Sequence, residues 1–150
     1  MQVDSNPAIN FHPALSIREK QHILDGHCNV ATSTAPMPKM LKDIFAKVTR
    51  EPQFELANPG EDFQVTDVVV GHRLPQRRLV FAGTCEDRWF IHYELGGIAH
   101  MYLILIFRPD PKGVLQFTWG GAGSKRAKNI EELRLAIASG EFKDGPAYYW

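Results

Sequence analysis

The chain has 150 residues, of which 44% are hydrophobic and 23% charged, and its 17 Lys+Arg balance its 17 Asp+Glu. A formal net charge of zero argues against nucleic acid and against an anionic membrane as partners, because both are gripped by clustered positive charge. A chain of this size buries roughly 70% of the surface its unfolded form exposes, so it needs no disulfide or metal to fold, and residues 1–150 read as a single α+β domain.

Residues 1–15, with Pro7 and Pro13, lack periodicity and read as an irregular N-terminal arm. Ser16-Ile17-Arg18-Glu19 offers a capping box, so a short helix is expected over 17–25, stopped by Gly26. Residues 26–36 carry no pattern and read as loop. Pro38 suits a first helical turn, and Met40, Leu41, Ile44, Phe45 and Val48 form one apolar stripe. A second helix is therefore expected over 38–49, ended by Pro52. Beyond the Pro59-Gly60 turn, Phe63, Val65 and Val68-Val69-Val70 suggest a strand at 63–70.

Four apolar runs follow in series, at 78–84, 88–94, 99–107 and 114–119. Their connections are too short for crossovers, so the strands must lie antiparallel. The expected fold is a four- to five-stranded antiparallel meander sheet flanked by N-terminal and C-terminal helices. Gly96-Gly97 suits a two-residue turn with positive φ at both positions. Such a turn pairs Tyr93 with His100 and Ile91 with Tyr102. Trp89, Ile91, Tyr93, His100, Tyr102 and Ile104 then share one face, and Phe90, His92, Glu94, Met101, Leu103 and Leu105 the other. Both faces are apolar in the middle, which calls for cover on each side, or for a pocket or partner surface on one. Gly120-Gly121-Ala122-Gly123 is expected to break the sheet. Asn129 caps a last helix near 130–139, with Glu132 in the capping-box position. Ile130, Leu133, Ala136 and Ile137 form its buried stripe, Gly140 stops it, and the tail Ala147-Tyr148-Tyr149-Trp150 packs back on the body.

His92 and Glu94 are two apart on a strand and so project from one face. Imidazole and carboxylate are ligands of divalent metals, and the two also make an acid/base pair, with His100 or His72 as a third member. The expected register sends His100 to the opposite face. His92, Glu94 and His100 therefore remain catalytic candidates without a completed constellation, and no metal and no cofactor are expected. Cys28 and Cys85 form no CxxC pair, and read as neither a disulfide framework nor a zinc site. Glu86 and Asp87 disfavour a reactive Cys85 thiolate, and His27 beside Cys28 is adjacency rather than catalytic geometry. The start Met1-Gln2-Val3-Asp4 shows no signal-peptide pattern, and the longest apolar run, 98–107, is too short to span a bilayer. A reducing, cytoplasmic location is the expectation.

The segment 120–126 leads from a strand toward a helix and carries Lys125 and Arg126, but the phosphate-loop spacing is absent. Arg73, Arg77 and Arg78 cluster around Pro75, while Glu51, Glu55, Glu61, Asp62 and Asp67 fall in the base-free stretch 51–70 and offer internal partners. No Gly-x-Ser-x-Gly, His-Glu-x-x-His or Gly-x-Gly-x-x-Gly motif occurs. Tryptophan, tyrosine and arginine dominate interface hot spots. The expectation is therefore a non-catalytic protein-binding domain, an inhibitor, immunity-type protein or adaptor. It would engage an acidic protein partner through Arg73, Arg77, Arg78, Trp89, Trp119, Lys125 and Arg126, with a homo-oligomer left open. The alternative is a small pocket protein binding a small molecule, an enzyme among the readings, using His92/Glu94 or His100. A deep pocket around those groups favours the alternative. A filled core with an exposed aromatic patch favours the binding domain.

Overall fold

Runs of valine, isoleucine and aromatic residues suit a pleated, half-buried surface. In the computed structural model, which describes residues 20–65, 74–97 and 100–144, they form an antiparallel meander. Strands β1 (Cys28–Ala31), β2 (Arg77–Cys85), β3 (Arg88–Leu95), β4 (Met101–Pro109), β5 (Leu115–Gly123) and the two-residue β6 (Lys143–Asp144) lie side by side in chain order. Every neighbouring pair is antiparallel. Helices α1 (20–25), α2 (Lys39–Val48) and α3 (Ile130–Ala138) complete an α+β fold.

Both sheet faces are covered. Leu41, Ile44, Phe45 and Val48 of α2 pack with Leu79, Ile91, Tyr93, Leu103, Leu105, Phe107 and Phe117. On the other face Ile23 of α1 and Leu133 and Ile137 of α3 pack with Phe81, Phe90, Ile104, Ile106 and Trp119. The stripe read from α2 is the buried one except at Met40, which is exposed. The helix stops before Pro52: Thr49 is its C-cap and Arg50 takes φ of 58°. Asn129 caps α3 as expected, accepting the Glu132 N–H at 2.9 Å. The return bond differs, because the Glu132 carboxylate accepts from the Lys128 N–H at 2.7 Å rather than from Asn129.

Four expectations are corrected. The β3–β4 register pairs Tyr93 with Leu103, not His100, and Glu94 with Tyr102. An offset of three residues is odd, so every β4 side chain exchanges faces relative to β3. The Gly-Gly signal has another cause. A Cβ on Gly96 would lie 1.9 Å from the Gln64 carbonyl oxygen, so glycine is needed there for close backbone approach rather than for a two-residue turn. Gln64 itself donates its N–H to the Pro75 carbonyl at 2.7 Å, and residues 63–65 are irregular, not strand; 66–70 lie outside the described residues.

Residues 120–123 do not break the sheet either. Gly120, Gly121, Ala122 and Gly123 pair with Leu105, Ile104, Leu103 and Tyr102. A Cβ on Gly121 would stand 2.9 Å from Phe142 Cβ and 3.0 Å from the Trp119 ring, so these glycines make room for aromatic packing. Finally, 28–31 is a strand, and it places Cys28 opposite Cys85, where the two form a disulfide across a separation of 57 residues. The pairing is hidden in the sequence because 28–31, the strand that juxtaposes the two cysteines, carries no strand pattern. The capping box at Ser16–Glu19, His72, Arg73 and the aromatic tail lie outside the described residues.

Phe45 is fully buried and meets Tyr93 and Phe54 edge-on at centroid distances of 5.3 and 5.7 Å. Phe45→Ala should lower unfolding free energy by about 3–5 kcal/mol in urea titrations. A loss below about 1 kcal/mol would contradict this packing.

Candidate functional site

His92 lies at the centre of β3, fully buried. Its Nδ1 is 2.8 Å from the Leu103 carbonyl oxygen, and its Nε2 is 3.1 Å from the Ala127 backbone nitrogen. A carbonyl only accepts and an amide N–H only donates, so the ring must be neutral, with its proton on Nδ1. Burial pushes the His92 pKa down to about 4, and the nearby Arg126 charge adds to that, against the opposing Leu103 bond. The imidazole has no nitrogen left for a metal or a proton-transfer partner. Its work is to fasten the 124–128 loop to the sheet.

Glu94 takes a different environment on the same face. Its carboxylate is buried, with Oε1 2.5 Å from Arg78 Nη2 and Oε2 3.9 Å from His100 Nε2. Arg78 also stacks over Phe63 at 4.4 Å, and His100 lies against Tyr102 at a centroid distance of 5.2 Å. The corrected register is what brings His100 toward Glu94. Glu94 is thus separated from His92 in role, held in an ion pair while His92 is bonded to backbone. Among the described residues no group of three or more His, Cys, Asp or Glu side chains could hold a metal ion.

The expected arginine and tryptophan set is divided by the fold. Arg77 is buried, its Nη1 2.9 Å from Glu51 Oε1, which realises the internal partner offered by the acidic stretch. Arg78 belongs to Glu94. Trp119 is fully buried and Lys20 sits 4.6 Å above its ring, so it presents no surface to a partner. Trp89 is half-buried against the α2 side of the sheet. Lys125 and Arg126 remain, and both line a cleft of about 330 Å³ between the 125–127 loop and α3.

Leu135 and Ala136 form the apolar wall of this cleft, with Glu132 and Glu141 at its edge. A second hollow of about 200 Å³ adjoins it and shares Lys125 and Glu141. Neither contains His92, Glu94 or His100. Lys125 and Glu141 are 3.9 Å apart, and the Glu132 carboxylate is occupied by the Lys128 N–H. Arg126 forms no ion pair or side-chain hydrogen bond among the described residues. Leu135 is 71% exposed. The helical phase of α3 held the signal for it, because Leu135 falls outside the Leu133/Ile137 stripe and so must point outward.

Compared with known proteins, the chain matches no family model, no curated protein and no solved structure at a significant level. No helix among the described residues is long and apolar enough to cross a membrane.

The His92 environment sets a pH dependence. The ring titrates near 6.5 when unfolded and near 4 when folded, so between those values the unfolded chain binds the extra proton. The stability this site supports is complete above pH 6.5 and is lost as pH falls toward 4. The loss from this group should be roughly 3 kcal/mol. Urea titrations at neutral and acid pH should show that slope in wild type and its absence in His92→Gln.

Proposed function

We propose that the protein is a non-catalytic binding domain, an inhibitor, immunity-type protein or adaptor, that docks an acidic protein segment in the cleft between the 125–127 loop and α3. The observation carrying this reading is the meeting of an exposed apolar side chain, Leu135, with an Arg126 guanidinium that has no ion-pair partner among the described residues, at the same cleft. An exposed leucine alone is ordinary surface. Beside the exposed Arg126, it offers both elements of a compact hot spot: an apolar contact and a guanidinium that matches a carboxylate bidentately. The cleft is open, since Lys125 is 77% exposed, which suits a side chain on a protein surface better than an enclosed small molecule.

The other lining charges refine the expected partner. Glu132 and Glu141 would repel a dense acidic tract, so the fit is one carboxylate next to an aliphatic or aromatic side chain. Charge would steer the encounter and apolar contact would hold it, so association should slow as salt rises.

A second reading rests on Glu94, whose carboxylate is buried between Arg78 and His100. There, a small polar molecule would be bound beside an acid/base pair. The two readings separate in one experiment. A random peptide library panned on the protein should enrich sequences with an acidic residue next to an apolar one, and their amide shift changes should map to 125–139. Arg126→Glu and Leu135→Asp should each weaken the selected peptides by about tenfold or more, equivalent to ~1.4 kcal/mol. Peptides that ignore both changes, or shifts confined to Arg78, Glu94 and His100, would replace the docking reading with the second.

A further inference from the structure

The Cys28–Cys85 disulfide joins β1, at one end of the described sheet, to β2, and of its two residues Cys28 is the less buried. Among the described residues β1 has a single neighbour, β2, whereas β2 is also paired along its length with β3. Asn29 and Val30 in the middle of β1 are exposed. Cys28 is half-buried and Cys85 fully buried. Beside this bond stands Arg134 of α3. Its Nε donates to the Ile23 carbonyl at 2.8 Å, its Nη2 to the Gly26 carbonyl at 2.6 Å, and Nη2 lies 3.3 Å from Cys28 Sγ. The guanidinium thus satisfies carbonyls at the C-terminal end of α1, where a cation is favoured, and ties that corner to α3.

We propose that Cys28–Cys85 is a redox-addressable clasp: a dithiol reductant opens it, β1 leaves the sheet edge, and α3 loses the corner that Arg134 grips. A thiolate of the reductant attacks Cys28 Sγ, which belongs to the less buried of the two cysteines. The S–S bond breaks, its electron pair leaves on Cys85 Sγ, and that sulfur takes a proton because its apolar surroundings disfavour a thiolate. The second thiolate of the reductant then attacks the reductant sulfur bonded to Cys28. Cys28 departs as a thiolate, stabilised by the Arg134 guanidinium beside it. Two electrons have passed from the dithiol, now a cyclic disulfide, to the protein.

Opening is local because of what remains. The central strands keep both neighbours, and a four-residue edge strand with exposed middle residues gives its backbone groups readily to water. Charge near Cys28 favours the reduced form, so Arg134 serves both states: it holds the corner while the bond is closed and stabilises the thiolate when it opens. The clasp acts on the anchorage of α3, whatever docks on the outer face of that helix.

The test treats the oxidised full chain with dithiothreitol at neutral pH, counts thiols by alkylation and mass, and follows peptide hydrogen exchange. The expected result is two free thiols, exchange over 23–31 and over α3 faster by about tenfold or more, and unchanged protection in β3 and β4. In oxidised Arg134→Gln, α3 should exchange faster while β1 stays protected, which separates anchorage from clasp. A bond that resists the dithiol until the chain is unfolded overturns the proposal. So does loss of protection throughout the sheet, which would make the disulfide a global staple, and so does an α3 indifferent to both treatments.

Discussion

His92 joins three parts of the molecule through one ring. Nδ1 reaches the Leu103 carbonyl on β4 and Nε2 receives the Ala127 N–H from the loop entering α3. Both bonds depend on the β3–β4 register, which places Ile104 opposite His92 and Leu103 next to it in the ladder. A buried imidazole without these bonds would leave two unmet polar atoms, at about 1–3 kcal/mol each, so the register and the loop position support each other. The exposed loop residues Lys125 and Arg126 are carried on backbone that this ring fastens from beneath.

Around that link the charges are assigned differently from their sequence grouping. Arg77 and Arg78 are adjacent, yet strand alternation sends them to opposite faces. One finds Glu51 beneath the α2 end of the fold, and the other finds Glu94 beside His100. Arg134, inconspicuous in the sequence, joins α1, β1 and α3. Neither Arg126 nor Arg134 has a described counter-ion, but Arg134 is held by backbone carbonyls, whereas Arg126 lies exposed at the cleft.

Much of the architecture was legible in the sequence because it rests on periodicity. The α2 stripe, the Asn129 cap and four successive apolar runs each reflect a local rule with few alternatives. Register was not legible, because glycine serves more than one purpose. Gly96 admits the Gln64 carbonyl, and Gly121 admits Phe142, but both resemble turn or breaker signals when read alone. Mistaking Gly96-Gly97 for a two-residue turn displaced His100 from Glu94, and mistaking 28–31 for loop hid the disulfide. The cleft was half visible: Lys125 and Arg126 stood out, whereas Leu135 became meaningful only once α3 had a defined inner face.

The protonation of His92 in the native protein reports most directly on the link between β3, β4 and the basic loop. Long-range proton–nitrogen correlation of the imidazole, recorded at neutral pH, distinguishes the two neutral tautomers and the cation. The structure requires a neutral ring with the proton on Nδ1 and a bare Nε2 accepting the Ala127 amide. A proton on Nε2, or a charged ring, would contradict both the β3–β4 register and the attachment of the basic loop to the sheet.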